Sequence, residues 1–126
     1  MHSIPWLTKL HKAHHKSYNI NPLTSYSFHL GEALLNMLSY AFFVFVVPFH
    51  PSVLLFFGTV GILYNGYIHL GYDIPEKWRS YFPPLKLLYS GRQHAIHHHE
   101  YKHNYAVYFR FWDKMMGTEK LVPKNG

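Results

Sequence analysis

Two stretches of this chain leave little choice of environment. From Leu30 to Val47 the sequence is almost wholly apolar, with Glu32 as its only formal charge, and from Ser52 to Leu70 there is no formal charge at all. At about 1.5 Å per helical residue, runs of this length reach roughly 27–29 Å, close to the ~30 Å hydrocarbon thickness of a bilayer. Between them Pro48-Phe49-His50-Pro51-Ser52 cannot continue a helix, and so short a connection turns the chain back on itself. The expectation is an all-α protein built on a membrane-embedded helical hairpin. Two buried helices of a soluble bundle are the competing reading, because runs below about 20 residues suit either.

Charge placement favours the membrane. Lys9, Lys12 and Lys16 precede the apolar runs, Lys77, Arg79, Lys86, Arg92, Lys102, Arg110, Lys114, Lys120 and Lys124 follow them, and the connecting turn has no lysine or arginine. By the positive-inside rule both ends are cytoplasmic. The formal charge of +6 then belongs to membrane-flanking segments rather than to a phosphate-binding face, and no nucleic-acid partner is expected. The opening MHSIPWLTKL lacks the basic leader and apolar run of a cleavable signal. Tyr72 to Gly91, rich in Pro, Trp and Tyr, should lie along the interface. From Arg92 onward one or two helices and a tail ending around Pro123 are expected. The 126 residues suffice for one domain.

The other constraint is histidine, of which there are 12, against no cysteine. Thiolate metal sites, disulfides and thiol nucleophiles are excluded, so a transition metal would be held by imidazole or by the six carboxylates. His11, His14 and His15 form an HxxHH pattern, and His94, His97 and His98 form a second. Helical steps of three and four return to one side, so each triplet presents three imidazoles within about 100° of arc. Each trio aimed at one point makes half of a binuclear site, and the hairpin brings both to one membrane face. At this histidine frequency a single HxxHH is expected only ~0.1 times by chance.

His69, at the end of the second apolar run, returns to that same face and is a further candidate ligand. His2 is a weaker one. Asp113 is a candidate to hold a ligand imidazole, with pairing to Arg110 or Lys114 as the alternative. His99 and His103 are read as outer hydrogen-bond donors or as solvated side chains. His29 and Glu32 would line the substrate entrance, or His29 would only cap the first helix. His50, in the turn, is not expected to bind metal.

These motifs resemble the fatty acid hydroxylase and sterol desaturase superfamily. The resemblance rests on His11-Lys12-Ala13-His14-His15-Lys16, Ser27-Phe28-His29 with Glu32, Ile68-His69-Leu70-Gly71, His94-Ala95-Ile96-His97-His98, and Asn104-Tyr105 followed by Trp112-Asp113 and Gly117-Thr118. It covers nearly the whole chain and is closest to the sterol desaturase branch. It implies a cytosolic centre of two iron ions, replaceable by zinc, that uses O₂ to hydroxylate or desaturate a lipid. His2 then aligns with the second histidine of the family's HxxxH motif, whose first histidine would lie before Met1 together with the family's earlier membrane helices. Ala106 stands where the family usually has glycine.

Hydrogen removal from an alkyl chain lies beyond side-chain acids and bases and requires a redox metal. Without a Gly-rich dinucleotide fingerprint or cysteine ligands, the electrons would come from a separate cytochrome or ferredoxin with its reductase. Two other classes remain open: a non-catalytic membrane metal-binding fragment, and a membrane-surface zinc hydrolase. The hydrolase would need three ligands and a general-base carboxylate, whereas the sequence offers at least six aligned histidines.

Overall fold

The structure, a computed structural model, describes residues 2, 4–17 and 19–122; the tail expected around Pro123 lies outside them. The described residues form six α-helices joined by loops and two 3-10 segments, with no named strand. These helices are α1 (Pro5–His15), α2 (Leu30–Val46), α3 (Pro51–Ile68), α4 (Glu76–Tyr81), α5 (Gly91–Glu100) and α6 (Phe111–Met116).

Local chemistry sets most of the boundaries. Pro5 and Pro51 open α1 and α3, where a missing N–H is harmless. His29 and His50 cap α2 and α3 by accepting from the N–H groups of Gly31 and Ser52. Neither was singled out as a ligand, and both are exposed. A reciprocal capping box between Ser90 and Gln93 starts α5, and left-handed residues, Tyr101 at φ 61° and Gly117 at φ 66°, end α5 and α6.

The apolar helices are slightly shorter than the bilayer core. α3, with 18 residues, is long and apolar enough to cross a membrane, while α2 has 17. They are not each other's main partners: α2 packs on α1 and α3 on α5. Their large side chains face outward, Phe45 being 89% exposed, with Leu34, Met37, Leu38, Phe42 and Phe43 beside it and Leu55, Phe56, Phe57, Ile62 and Leu63 on α3.

The interior is the reverse of a water-soluble core. Among the described residues only Ile68 and Tyr89 are buried hydrophobics, whereas His14, His15, His69, His94, His97, His98, Glu32, Asn104 and Asp113 are buried polar groups. Since apolar burial is what ordinarily drives folding in water, an inside-out distribution of this kind fits an apolar surrounding about a polar centre.

The segment from Tyr72 to Ser90 closes the polar end. Tyr64 of α3 donates to the carbonyl of Tyr89 at 3.0 Å, and the backbone pairs Tyr89 with Tyr108 and Leu87 with Arg110. Trp78, Tyr81, Phe82 and Leu87 along it are exposed. Gly91 begins α5 so close to Tyr72 that a Cβ would stand 2.5 Å from its carbonyl oxygen.

Candidate metal centre

Eight histidines converge where the C-terminal end of α1, the C-terminal end of α3 and the face of α5 meet, and they fall into two groups. His2, His11, His15 and His97 form one, and His14, His69, His94 and His98 form the other; within each, one ligand atom per residue lies within 4.8 Å of the rest. The sequence expectation of one point per triplet is corrected here. Each group takes residues from both triplets, because α1 and α5 face each other and successive helical positions diverge by about 100°. The ring centroids of His15 and His98, from different groups, are 4.7 Å apart, so the two groups are immediate neighbours.

The second group is the more enclosed. Nε2 of His14 and His69 are 3.3 Å apart, those of His69 and His94 3.2 Å, and those of His94 and His98 3.2 Å. Nitrogens held about 2.0–2.1 Å from a shared ion in tetrahedral arrangement stand roughly 3.3–3.4 Å apart. Nδ1 of His69 lies 2.8 Å from the carbonyl of Asn65. A carbonyl only accepts, so Nδ1 carries the proton and Nε2 presents a bare lone pair to its neighbours. Nδ1 of His94 and His98 and both ring nitrogens of His15 are buried without a hydrogen-bond partner. The Nε2 atoms of four imidazoles crowded to this spacing fit a shared cation, and the donor set, all imidazole, fits iron or zinc.

In the first group, His97 Nδ1 donates to the carbonyl of His103 at 2.8 Å, and His11 Nδ1 lies 2.7 Å from Glu32 Oε1. His2 packs its ring against His11 and His97, each at 4.8 Å between centroids. Burial, reinforced by neighbouring imidazoles, lowers the pKa of His2 and His15 to about 3, of His14 to about 4 and of His98 to about 2. His94 and His97 are lowered for the same first reason. Neutral imidazole is the ligating form.

Two outer residues follow one of their sequence alternatives, His29 as the cap of α2 and His99 as a solvated side chain, and Glu32, His103 and Asp113 make contacts the sequence did not foresee. Glu32 is buried, bonded to His11, and lines the cavity beside the two groups. His29 is the exposed cap of α2. His99 is exposed, and His103 acts through its backbone carbonyl rather than its ring. Asp113 holds no imidazole among the described residues, nor Arg110, which pairs with Glu119. It accepts instead from Tyr89 Oη at 2.6 Å, from the N–H groups of Tyr105 and Ala106 at 2.9 and 2.8 Å, and from the Thr118 hydroxyl. Its burial raises the pKa, but these donors outweigh it and the carboxyl sits below its ordinary value. Asp113 thus fixes the loop after α5, whose turn also holds His103.

A cavity of about 310 Å³ opens beside both groups, lined by His2, His11, His69 and His97 together with Asn36 of α2 and Asn65 of α3. The two asparagines were missed in the sequence, although Glu32 and Asn36, like Asn65 and His69, are four residues apart and share a helix face.

The profile of the fatty acid hydroxylase family matches residues 1–118. The chain belongs to this family. A cholesterol 25-hydroxylase-like protein of Danio rerio is 36% identical over 124 residues, covering 93% of this chain and 47% of its own length. Cholesterol 25-hydroxylase of Rattus norvegicus is 33% identical, covering 98% of this chain and 42% of its own. Lathosterol oxidase of Rattus norvegicus is 30% identical, with 88% and 36% covered. These fatty acid hydroxylase relatives agree with the sterol desaturase branch. The chain spans less than half the length of each of them. No solved structure matches it.

Proposed function

We propose that this chain is the metal-binding part of a membrane-bound, O₂-dependent oxidoreductase that hydroxylates or desaturates a lipid, a sterol or fatty acyl chain, at a centre of two iron ions. The observation that carries the reading is the pair of adjacent four-histidine groups, each assembled from both HxxHH triplets. His2, His11, His15 and His97 would hold one ion, and His14, His69, His94 and His98 the other. Iron there supplies the redox and O₂ chemistry that side chains lack.

The chain's own residues have three tasks in this scheme. The carbonyls of Asn65 and His103 and the carboxylate of Glu32 hold His69, His97 and His11 by Nδ1, so that Nε2 of each is aimed inward. Asn36 and Asn65, lining the cavity between α2, α3 and the histidines beside Phe28 and Val107, offer two amide groups with which to orient a lipid. The outward aromatic and aliphatic side chains of α2 and α3 keep that approach inside hydrocarbon and away from water.

The topology we favour has α2 and α3 crossing as a hairpin, with the histidines and both described ends on the cytoplasmic side. Its support is the lysine and arginine distribution. The basic cytosolic surface suits an acidic electron donor, a cytochrome or ferredoxin with its reductase.

The test is direct. Purified anaerobically in detergent and supplied with ferrous iron, a chemical reductant and sterol or fatty acyl lipids, the protein should consume O₂ and place an atom of labelled oxygen, or a double bond, in the lipid. His97→Ala should abolish both. A protein that takes up one zinc and is inert toward O₂ would instead support the hydrolase reading, and stable iron without O₂ consumption the metal-binding one.

A further inference from the structure

Glu32 is a carboxylate in the first turn of an apolar helix, 2% exposed. One oxygen, Oε1, lies 2.7 Å from His11 Nδ1. The other, Oε2, is buried with no hydrogen-bond partner, and the residue lines the cavity shared with His2, His11, His97 and Tyr105. An acid retained for packing alone would have both oxygens satisfied, since a buried unpaired oxygen is costly. A bare carboxylate oxygen is tolerable when positive charge is close at hand.

The two histidine groups are unequal in this respect. The outer acceptors of His69 and His97 are neutral backbone carbonyls, of Asn65 and His103. Among the described residues Glu32 is the one carboxylate hydrogen-bonded to a histidine of either group. A carboxylate at Nδ1 makes the imidazole a stronger donor at Nε2 than a carbonyl does.

We infer that Glu32 is a positioning residue for the group of His2, His11, His15 and His97: through His11 Nδ1 it fixes that imidazole with Nε2 inward and makes the two metal positions electronically different. This rests on the di-iron reading proposed above. It assigns to a residue of the membrane-facing helix α2 a role that neither triplet supplies.

The experiment uses the whole protein in detergent, loaded anaerobically with ferrous iron, with metal analysis and Mössbauer spectra of wild type, Glu32→Gln and Glu32→Ala. Wild type should hold two irons per chain with two distinct quadrupole doublets. Glu32→Gln keeps an acceptor oxygen for His11 but loses the charge; it should keep both irons while one doublet moves toward the other. Glu32→Ala should weaken iron binding at one position by about 10–100-fold and leave the other spectrum in place. Two irons with wild-type spectra in both variants would overturn the role of Glu32 while leaving the metal centre standing. Loss of both irons and of helical circular dichroism in Glu32→Gln would make Glu32 structural, which also overturns it. A wild type that binds no pair of irons removes the centre and this inference together.

Discussion

His14 and His15 are adjacent in the chain, yet they belong to different histidine groups, their ring centroids 5.8 Å apart and their planes inclined by 74°. The α1 helix turns by about 100° between them, which points one toward His69, His94 and His98 and the other toward His2, His11 and His97. Neighbours in sequence should therefore behave as unrelated in metal binding, and residues far apart in sequence as partners.

His14→Ala and His94→Ala are each expected to remove one metal ion from the protein, and the double variant to remove no more than either alone. His14→Ala combined with His15→Ala should remove both. Metal analysis after dialysis, with circular dichroism to confirm helicity, checks the count. If His14→Ala with His94→Ala lost two ions while His14→Ala with His15→Ala lost one, the grouping would follow the triplets and not the structure.

Asp113 ties three parts of the chain together through Tyr89, the backbone of Tyr105 and Ala106, and Thr118. Asp113→Ala takes the acceptor from four donors, the Tyr89 hydroxyl buried and the other three part-buried, each at about 1 kcal/mol, so a loss of about 4 kcal/mol is expected, with a lower thermal midpoint and weakened metal retention. Tyr89→Phe removes a single donor and should cost about 1–2 kcal/mol. Because donors hold the Asp113 carboxyl below its ordinary value, its contribution is present above the unfolded pKa near 4 and fades as pH falls through the folded one. An Asp113→Ala protein as stable as wild type in thermal melts would exclude this hub.

Much of this arrangement was legible in the sequence, and the part that was not has a common cause. The apolar runs and their proline and histidine boundaries are local, so α2 and α3 end within a residue or two of where Leu30, Val47, Ser52 and Leu70 placed them. What escaped depends on how helices dock. Among the described residues Glu32 and not Asp113 bonds an imidazole, because whether an acid meets an imidazole is decided by the packing of α2 on α1 and of α6 under Tyr89, not by spacing along the chain. The crossing of triplets between groups is likewise a property of two helices facing each other. Asn36 and Asn65 did carry a signal, their four-residue distance from Glu32 and His69, hidden because a lone polar residue in an apolar run reads as incidental.

The buried imidazoles make metal-free stability depend on pH in a definite direction. An imidazole in the unfolded chain takes up a proton near pH 6.5, whereas burial keeps His14, His15 and His98 neutral in the fold until about pH 4, 3 and 2. Below 6.5 the unfolded chain binds more protons, so stability falls as pH drops, by up to about 1.4 kcal/mol per pH unit for each such residue, and is level above pH 7.5. Thermal melts of chelator-treated protein in detergent should be unchanged between pH 7.5 and 8.5 and fall steeply from pH 6.5 to 5. A melting temperature that rises on acidification would mean these rings are charged in the fold.

Gly91 offers the sharpest test of how the second triplet is placed. A Cβ there would lie 2.5 Å from the Tyr72 carbonyl oxygen and 2.9 Å from the Tyr72 nitrogen, both backbone atoms that cannot rotate away. Gly91→Ala must therefore displace either the chain after α3 or the start of α5, and with it His94, His97 and His98. In most helices this substitution would stabilise by close to 1 kcal/mol; here a destabilisation of about 1–3 kcal/mol is expected from overpacking. Because His69 and α5 share one group, metal affinity should fall along with the thermal midpoint. A Gly91→Ala protein that melts higher than wild type and keeps its metal would show that α5 does not approach Tyr72 this closely, and the geometry of the second group would have to be redrawn.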